Sequence, residues 1–255
     1  MALGAIQGPT ELLPVSSSGH LVLVPSTLGW RYRGLDPELR KSFEVALHAG
    51  GALALLIGLR REVGTYVRSF GPANLLSLTL SFAPAALAAW AFERPIEERL
   101  SAPGPVAVAL ISGAAVMAVA DGRPEERDRE DATAGDAFLI GLAQACALMP
   151  GVSRNGATLS AARALRFRRA DANVISRQMA LPVICGAALL KGVRLAHRDL
   201  PPGLAGSMAA GAAAAFASTL ASMRLITMLE RSRSLVPYAA YRAIVGGLAL
   251  LRGGR

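Results

Sequence analysis

Gln7 and Glu11 stand four residues apart in an apolar stretch, so on a helix they share a face. Beyond Pro14 the chain reads Val15-Ser16-Ser17-Ser18-Gly19-His20, and far downstream Pro150 is followed by Gly151-Val152-Ser153-Arg154-Asn155-Gly156. These residue types suit the handling of an anion. Arg154 presents a planar fork that binds phosphate oxygens in pairs and stabilises charge on a transferred phosphoryl group. Glu11 can ligate a hard cation through oxygen or act as a general base. Each Ser-rich turn leads into a new apolar stretch, and a helix starting there offers N–H groups and a partial positive charge to phosphate or another anion. Ser and Asn at such starts double as helix caps.

The elements that must position these groups are apolar. Runs at 43–59, 74–92, 105–120, 173–190, 204–229 and 237–251 are near the roughly 20 residues that cross a bilayer as a helix, the fourth being interrupted by Arg177-Gln178. Runs 1–13 and 137–149 break at Pro14 and Pro150 and reach only about 20 Å at 1.5 Å per residue, too short to span. The expected fold is an all-α, polytopic integral membrane protein with about six transmembrane helices. Aligned with one-residue gaps, Gln7 pairs with Gln144, Pro14 with Pro150, Val15 with Val152, Ser16 with Ser153 and Gly19 with Gly156. The chain 1–255 therefore reads as a single membrane domain with an internal duplication, repeat one over about 1–120 and repeat two over about 137–255, joined by a linker loop at 121–136.

Paired short, broken helices in corresponding halves point to a mid-membrane site at the repeat interface. Irregular backbone at that depth survives only where it is buried in protein or lines a polar cavity, and an acid and a cation there usually mark function. A blander reading makes Glu11 and Arg154 a structural ion pair pinning the halves together, and His20 a satisfied core histidine.

Composition agrees with a membrane protein and excludes other classes. The 255 residues are 53% hydrophobic and 18% charged, above the apolar share of about 45–50% in soluble domains. The net charge of +9 sits at the ends of apolar runs, at Arg60-Arg61, Arg163 to Arg169 and Arg231 to Arg233, a positive-inside pattern rather than a nucleic-acid patch. Cys146 and Cys185 form no Cys-x-x-Cys and are expected to be buried small hydrophobes. The apolar start lacks a basic leader and carries Pro9 and Glu11, which argues against a cleavable signal peptide.

The segments Gln7-Gly-Pro-Thr-Glu11-Leu-Leu-Pro14-Val-Ser-Ser-Ser-Gly-His20-Leu and Pro150-Gly-Val-Ser-Arg-Asn-Gly-Ala-Thr158 resemble the two signature motifs of the undecaprenyl-diphosphate phosphatases, the bacitracin-resistance family. Phe43-Glu44-Val45, and Ser176 followed by Leu181-Pro182, resemble the same family. The resemblance implies two re-entrant helical hairpins related by inverted repeat. It implies hydrolysis of a polyprenyl diphosphate lipid, undecaprenyl diphosphate, to undecaprenyl phosphate and inorganic phosphate, which recycles the carrier for peptidoglycan synthesis. It also implies a bacterial plasma-membrane location, a site facing the extracytoplasmic side, and help from a divalent cation, Mg²⁺ or Ca²⁺. A homodimer is left open.

In that setting Glu11, Ser17, His20 and Arg154 are the expected catalytic residues. Ser17 is the candidate nucleophile with His20 as its base or as the acid for the leaving group, and a metal-activated water would use the same groups. Ser16, Ser18, Ser153, Asn155, Gly156 and Thr158 are expected to bind the diphosphate, and Gln7 with Glu11 the metal. Asn155 stands where the family usually has serine, His48 where glutamine is common, and Arg177-Gln178 where apolar residues are expected; the start is also shorter than usual. Ser17-Ser18-Gly19-His20 only faintly resembles the histidine box of the type-2 phosphatidic-acid phosphatases, because the position of their later histidine is Ser160. The alternative of another class is a transporter or flippase for a polyprenyl phosphate or other anion, since inverted repeats with broken helices also build transporters.

Overall fold

A computed structural model describes residues 1–68, 70–196 and 204–253, and among them all regular structure is helical. Two helices of 11 residues, α1 (Ala2–Leu12) and α2 (Ser17–Thr27), form the first hairpin. They are followed by α3 (Pro37–Gly58), α4 (Arg60–Arg68), α5 (Pro72–Leu100) and α6 (Pro103–Asp121). A second hairpin, α7 (Ala134–Cys146) and α8 (Arg154–Ala164), precedes α9 (Arg169–Ala196), α10 (Leu204–Ala221), α11 (Arg224–Glu230) and α12 (Val236–Gly253).

Local chemistry sets these boundaries. The Asp36 side chain caps α3 by accepting from the N–H groups of Glu38 and Leu39, with Pro37 in the first turn, where its missing N–H costs nothing. Thr133 and Asp136 form a reciprocal capping box at the start of α7. The six helices of 18 or more residues, α3, α5, α6, α9, α10 and α12, coincide with the six apolar runs. Residues Asn74–Leu100, Pro103–Asp121 and Leu204–Ala221 are long and apolar enough by themselves to cross a membrane. The α3–α4 pair meets the same test, bent by 69° at Leu59. The run at 204–229 differs from expectation: it breaks at Ser222-Met223, so α11 is a separate short helix.

The hairpins enter from opposite ends. Lys41, near the start of α3, bonds Glu97 near the end of α5, and the open end of the first hairpin packs there, with Leu3 and Leu21 against Phe43 and Leu47. At the other end, Asp121 finishes α6 and takes hydrogen bonds from Arg169 of α9 and from Ser234 and the Leu235 N–H ahead of α12. The open end of the second hairpin belongs to that network, where Arg163 is fully buried and donates to the carbonyls of Asp121, Arg123 and Phe167. The tips meet between these ends, where Asn155 Nδ2 donates to the Leu12 carbonyl at 2.9 Å.

Packing is crossed between the halves. The first hairpin lies on α10 of the second half, close enough that a Cβ on Gly4 would strike the Gly211 carbonyl and Ala214. The second hairpin lies on α5 of the first half, where a Cβ on Gly141 would strike the carbonyls of Leu80 and Ser81. Outward faces of α5, α6 and α12 carry Leu87, Trp90, Val119, Ile244 and Leu251 in the open, as a lipid-facing surface requires. Between α6 and α7, residues 122–133 form a largely exposed connection with one short 3-10 turn, held by Arg127 on Asp136 at 2.7 Å and by Arg166 on Glu126. Cys146 is exposed and free, which corrects the expectation of a buried residue; the Cys185 side chain lies outside the described residues.

Candidate functional site

Both breaks are built alike. Ser16 and Ser153 adopt positive φ, 75° and 69°, in a left-handed region that ordinary side chains rarely occupy. Each then caps the helix it starts, Ser16 Oγ accepting from Gly19 N–H at 3.2 Å and Ser153 Oγ from Gly156 N–H at 3.1 Å. The first helical residues are therefore Ser17 in α2 and Arg154 in α8.

These two residues close on one carboxylate. Ser17 Oγ donates to Glu11 Oε2 at 2.7 Å, and Arg154 Nη2 donates to Glu11 Oε1 at 2.7 Å. Gln7 Nε2 adds a bond to Glu11 Oε2 at 3.2 Å and lies 2.9 Å from His48 Nδ1, which is itself 3.6 Å from Glu11. An acid, a hydroxyl and a guanidinium from inverted halves thus share one point, with two helix N-termini starting beside it. Glu11, Arg154 and Asn155 border a pocket whose polar wall continues along α9 through Asn173, Ser176 and Arg177. Its apolar wall is formed by Leu12, Leu55, Leu59, Ile184, Ile226 and Leu229, so one cavity offers a charged end and a greasy end.

His20 stands apart from this cluster. Its Nδ1 lies 2.8 Å from the Ser16 carbonyl and its Nε2 2.8 Å from the Tyr241 hydroxyl, with the two rings stacked at 5.6 Å. Because the carbonyl can only accept, Nδ1 carries the proton and Nε2 accepts from Tyr241. Both nitrogens are engaged away from Ser17, so the group on the Ser17 hydroxyl is Glu11. His20 Nδ1 bonds the Ser16 carbonyl of the turn, and Glu11 and Arg154 are ion-paired.

The residues expected to bind phosphate divide in the same way. Asn155 borders the pocket and also accepts from Ser176 Oγ at 3.2 Å. Ser18 is half-buried, 3.4 Å from Ser16 Oγ. Ser16, Ser153, Gly156 and Thr158 are buried behind the turns, Thr158 on Ser176 Oγ at 2.6 Å. For the metal, the Gln7 carbonyl oxygen Oε1 is buried without a hydrogen-bond partner, leaving one oxygen ligand beside one carboxylate. Among the described residues, no three His, Cys, Asp or Glu side chains gather as a metal group. That set is too small for an all-protein Ca²⁺ cage, and it fits Mg²⁺ held by one or two carboxylates together with substrate phosphates.

Sequence reasoning missed Arg242. It is fully buried in α12, and its guanidinium donates to the carbonyls of Pro14, Gly151 and Val152, one group tying both breaks. Gly113 and Gly156 leave room for it, since a Cβ on either would meet its nitrogens. An arginine inside the apolar run 237–251 was the available signal. His48, noted only as a departure from the family pattern, also belongs beside Gln7 and Glu11.

The model of the family described as bacitracin resistance protein BacA matches residues 1–248. An undecaprenyl-diphosphatase of Trichlorobacter lovleyi is 39% identical over 99% of this chain and 96% of its own length. One from Geobacter sulfurreducens is 38% identical over 97% and 95%, and undecaprenyl-diphosphatase 1 of Burkholderia thailandensis is 36% identical over 99% and 94%.

Proposed function

The chain belongs to the bacitracin resistance protein BacA family, and from that premise we infer that it hydrolyses undecaprenyl diphosphate to undecaprenyl phosphate and inorganic phosphate. It is a multi-pass membrane enzyme, and its relatives' shared name disfavours a transporter. We place it in the bacterial plasma membrane with the site opening on the extracytoplasmic side.

One observation carries the chemistry: Ser17 and Arg154 on opposite oxygens of the Glu11 carboxylate. In our reading the distal phosphate settles between Ser17 and Arg154. Ser17 Oγ attacks its phosphorus, Glu11 takes the hydroxyl proton, and undecaprenyl phosphate departs with the bridging oxygen. Glu11 passes that proton to the departing phosphate; water then attacks the phosphoserine phosphorus, Glu11 takes the water's proton and returns it to Ser17 Oγ as the P–Oγ bond breaks, and inorganic phosphate leaves. Arg154 bonds the equatorial oxygens as their charge redistributes. Gln7 and Glu11 would hold a divalent cation, which supplies neutralising charge to the phosphates. The apolar wall from Leu55 to Leu229 takes the first prenyl units. Phosphate release from farnesyl or undecaprenyl diphosphate by the purified protein in detergent tests this, with Glu11→Ala as control; no release by the wild type overturns it.

A further inference from the structure

Arg177 is the one guanidinium besides Arg154 that borders the pocket among the described residues, and no step above uses it. On α9 it follows Ser176 and comes one turn before Ala180, whose carbonyl receives Arg154 Nη1 at 3.5 Å. The two guanidinium groups therefore belong to one wall. Arg177 is meanwhile paired with two carboxylates. Its Nε lies 3.1 and 3.2 Å from the two oxygens of Glu62 on α4, and its Nη2 lies 2.6 Å from Glu230 on α11.

Three properties of this triad bear on what it does. Two carboxylates meet one guanidinium at the edge of the pocket, with Arg129 also within electrostatic reach of Glu62. Glu62 and Glu230 are 28% and 29% exposed, so both regain hydration if the guanidinium leaves, unlike the partners of a fully buried ion pair. Arg154 is already shared with Glu11, so a second guanidinium on the same pocket adds a contact for the diphosphate beside the divalent cation, and a guanidinium meets phosphate oxygens in a two-point fork.

We propose that Arg177 is a second headgroup-binding residue, which exchanges Glu62 and Glu230 for phosphate oxygens when the polyprenyl diphosphate enters. The inference rests on the phosphatase reading for the identity of the substrate. It gives the carboxylates and the arginine opposite effects on affinity. Glu62 and Glu230 compete with the substrate, and Arg177 receives it. A strap that merely held α4 and α11 to α9 would be weakened in the same sense by loss of any of the three.

The experiment measures KM and kcat for farnesyl diphosphate, and in parallel the calorimetric Kd of its non-hydrolysable methylenebisphosphonate, for the full chain in detergent. The paired substitution Glu62→Gln with Glu230→Gln should lower KM and Kd by about threefold to tenfold, and Arg177→Gln should raise them by about tenfold, the scale of one charge-assisted hydrogen bond. Arg177→Lys should fall between, and both effects should shrink in high salt. Weaker binding in both the acid and the arginine variants, with a shared fall in thermal midpoint, overturns the proposal in favour of a strap. So does an unchanged KM and Kd in Arg177→Gln. Bisphosphonate binding with the expected opposite signs, but without hydrolysis of the diphosphate, leaves Arg177 as a headgroup ligand and removes the phosphatase reading instead.

Discussion

Ser17 and Arg154 occupy the same position in the two halves, first residue of the helix after a left-handed serine, and hold opposite oxygens of Glu11 at 2.7 Å each. The two helix starts match in position, and one carries a hydroxyl where the other carries a cation. The carboxylate between them comes from α1 alone. In α7 the counterpart of Gln7 is Gln144, buried, with Nε2 on the Ser81 carbonyl at 3.2 Å, and no acid follows it before Pro150.

Loss of any member of this cluster should be severe. Glu11→Gln, Ser17→Ala and Arg154→Ala are each expected to lower turnover by at least about a hundredfold, the scale for a positioned acid–base group or charge stabiliser. Phosphate release from farnesyl diphosphate measures it. Near-normal activity in Arg154→Ala would remove the assignment. Retention of activity in Ser17→Ala alone would transfer the attack to water.

His20 is expected to act through the turn. His20→Gln and Tyr241→Phe should lower the thermal midpoint together with turnover, Tyr241→Phe costing about 1 kcal/mol of stability for one hydrogen bond. Turnover lost in His20→Gln at an unchanged midpoint would return the role of base to the imidazole.

Arg242 and Gly113 should be energetically coupled. A Cβ at Gly113 meets the Arg242 guanidinium, so Gly113→Ala should be costly in the wild type and much less so beside Arg242→Ala. Arg242→Ala itself strips donors from the carbonyls of Pro14, Gly151 and Val152 and should cost about 3 kcal/mol, the upper range for hydrogen bonds to a charged group. A double-mutant cycle on thermal unfolding reads the coupling; strict additivity would disprove it.

Both tips should be reachable from water. With Cys146 and Cys185 replaced, cysteines at Ser18 and Asn155 should react with a small water-soluble thiol reagent and be protected by a diphosphate ligand. An inert cysteine at either position contradicts two turns lining one aqueous cavity.

Gln7→Glu should lower the Mg²⁺ concentration that gives half-maximal activity, because hard cations bind more tightly as carboxylate ligands are added. The gain should shrink at acidic pH, where the two neighbouring carboxyls share protons rather than both ionise. Titration of Mg²⁺ against both proteins decides it, and an unchanged requirement would mean that position 7 does not reach the ion.

The parts of this architecture written in local order were legible before any coordinates. Six apolar runs, two proline breaks and the pairing of Ser16 with Ser153 depend on composition over a few turns, and each fell on its helix or turn. The break at Ser222-Met223 was hidden because no proline marks it, although Arg224 opens the helix beyond it. Three assignments needed distances across the chain. Arg242 was counted within a span because its partners are backbone carbonyls, which leave no residue signature. Arg177 read as a blemish because Glu62 and Glu230 lie far off in sequence. His20 sits only three residues from Ser17, yet its ring turns to Tyr241.

The crossed packing of the hairpins bears on how the chain is made. The first hairpin leaves the ribosome long before α10, the helix that Gly4 and Gly8 are shaped to meet. Until then its broken backbone has no protein wall at membrane depth, where lipid cannot satisfy N–H and C=O groups. Insertion of the first half should therefore stall in an interfacial or chaperoned state, with Met1 to Thr27 entering the bilayer only once residues 204–221 have been synthesised. Stops placed after the linker should yield a first hairpin open to protease, and coexpression of the missing half should shield it. The first hairpin is thus expected to finish folding only after α10 has been made.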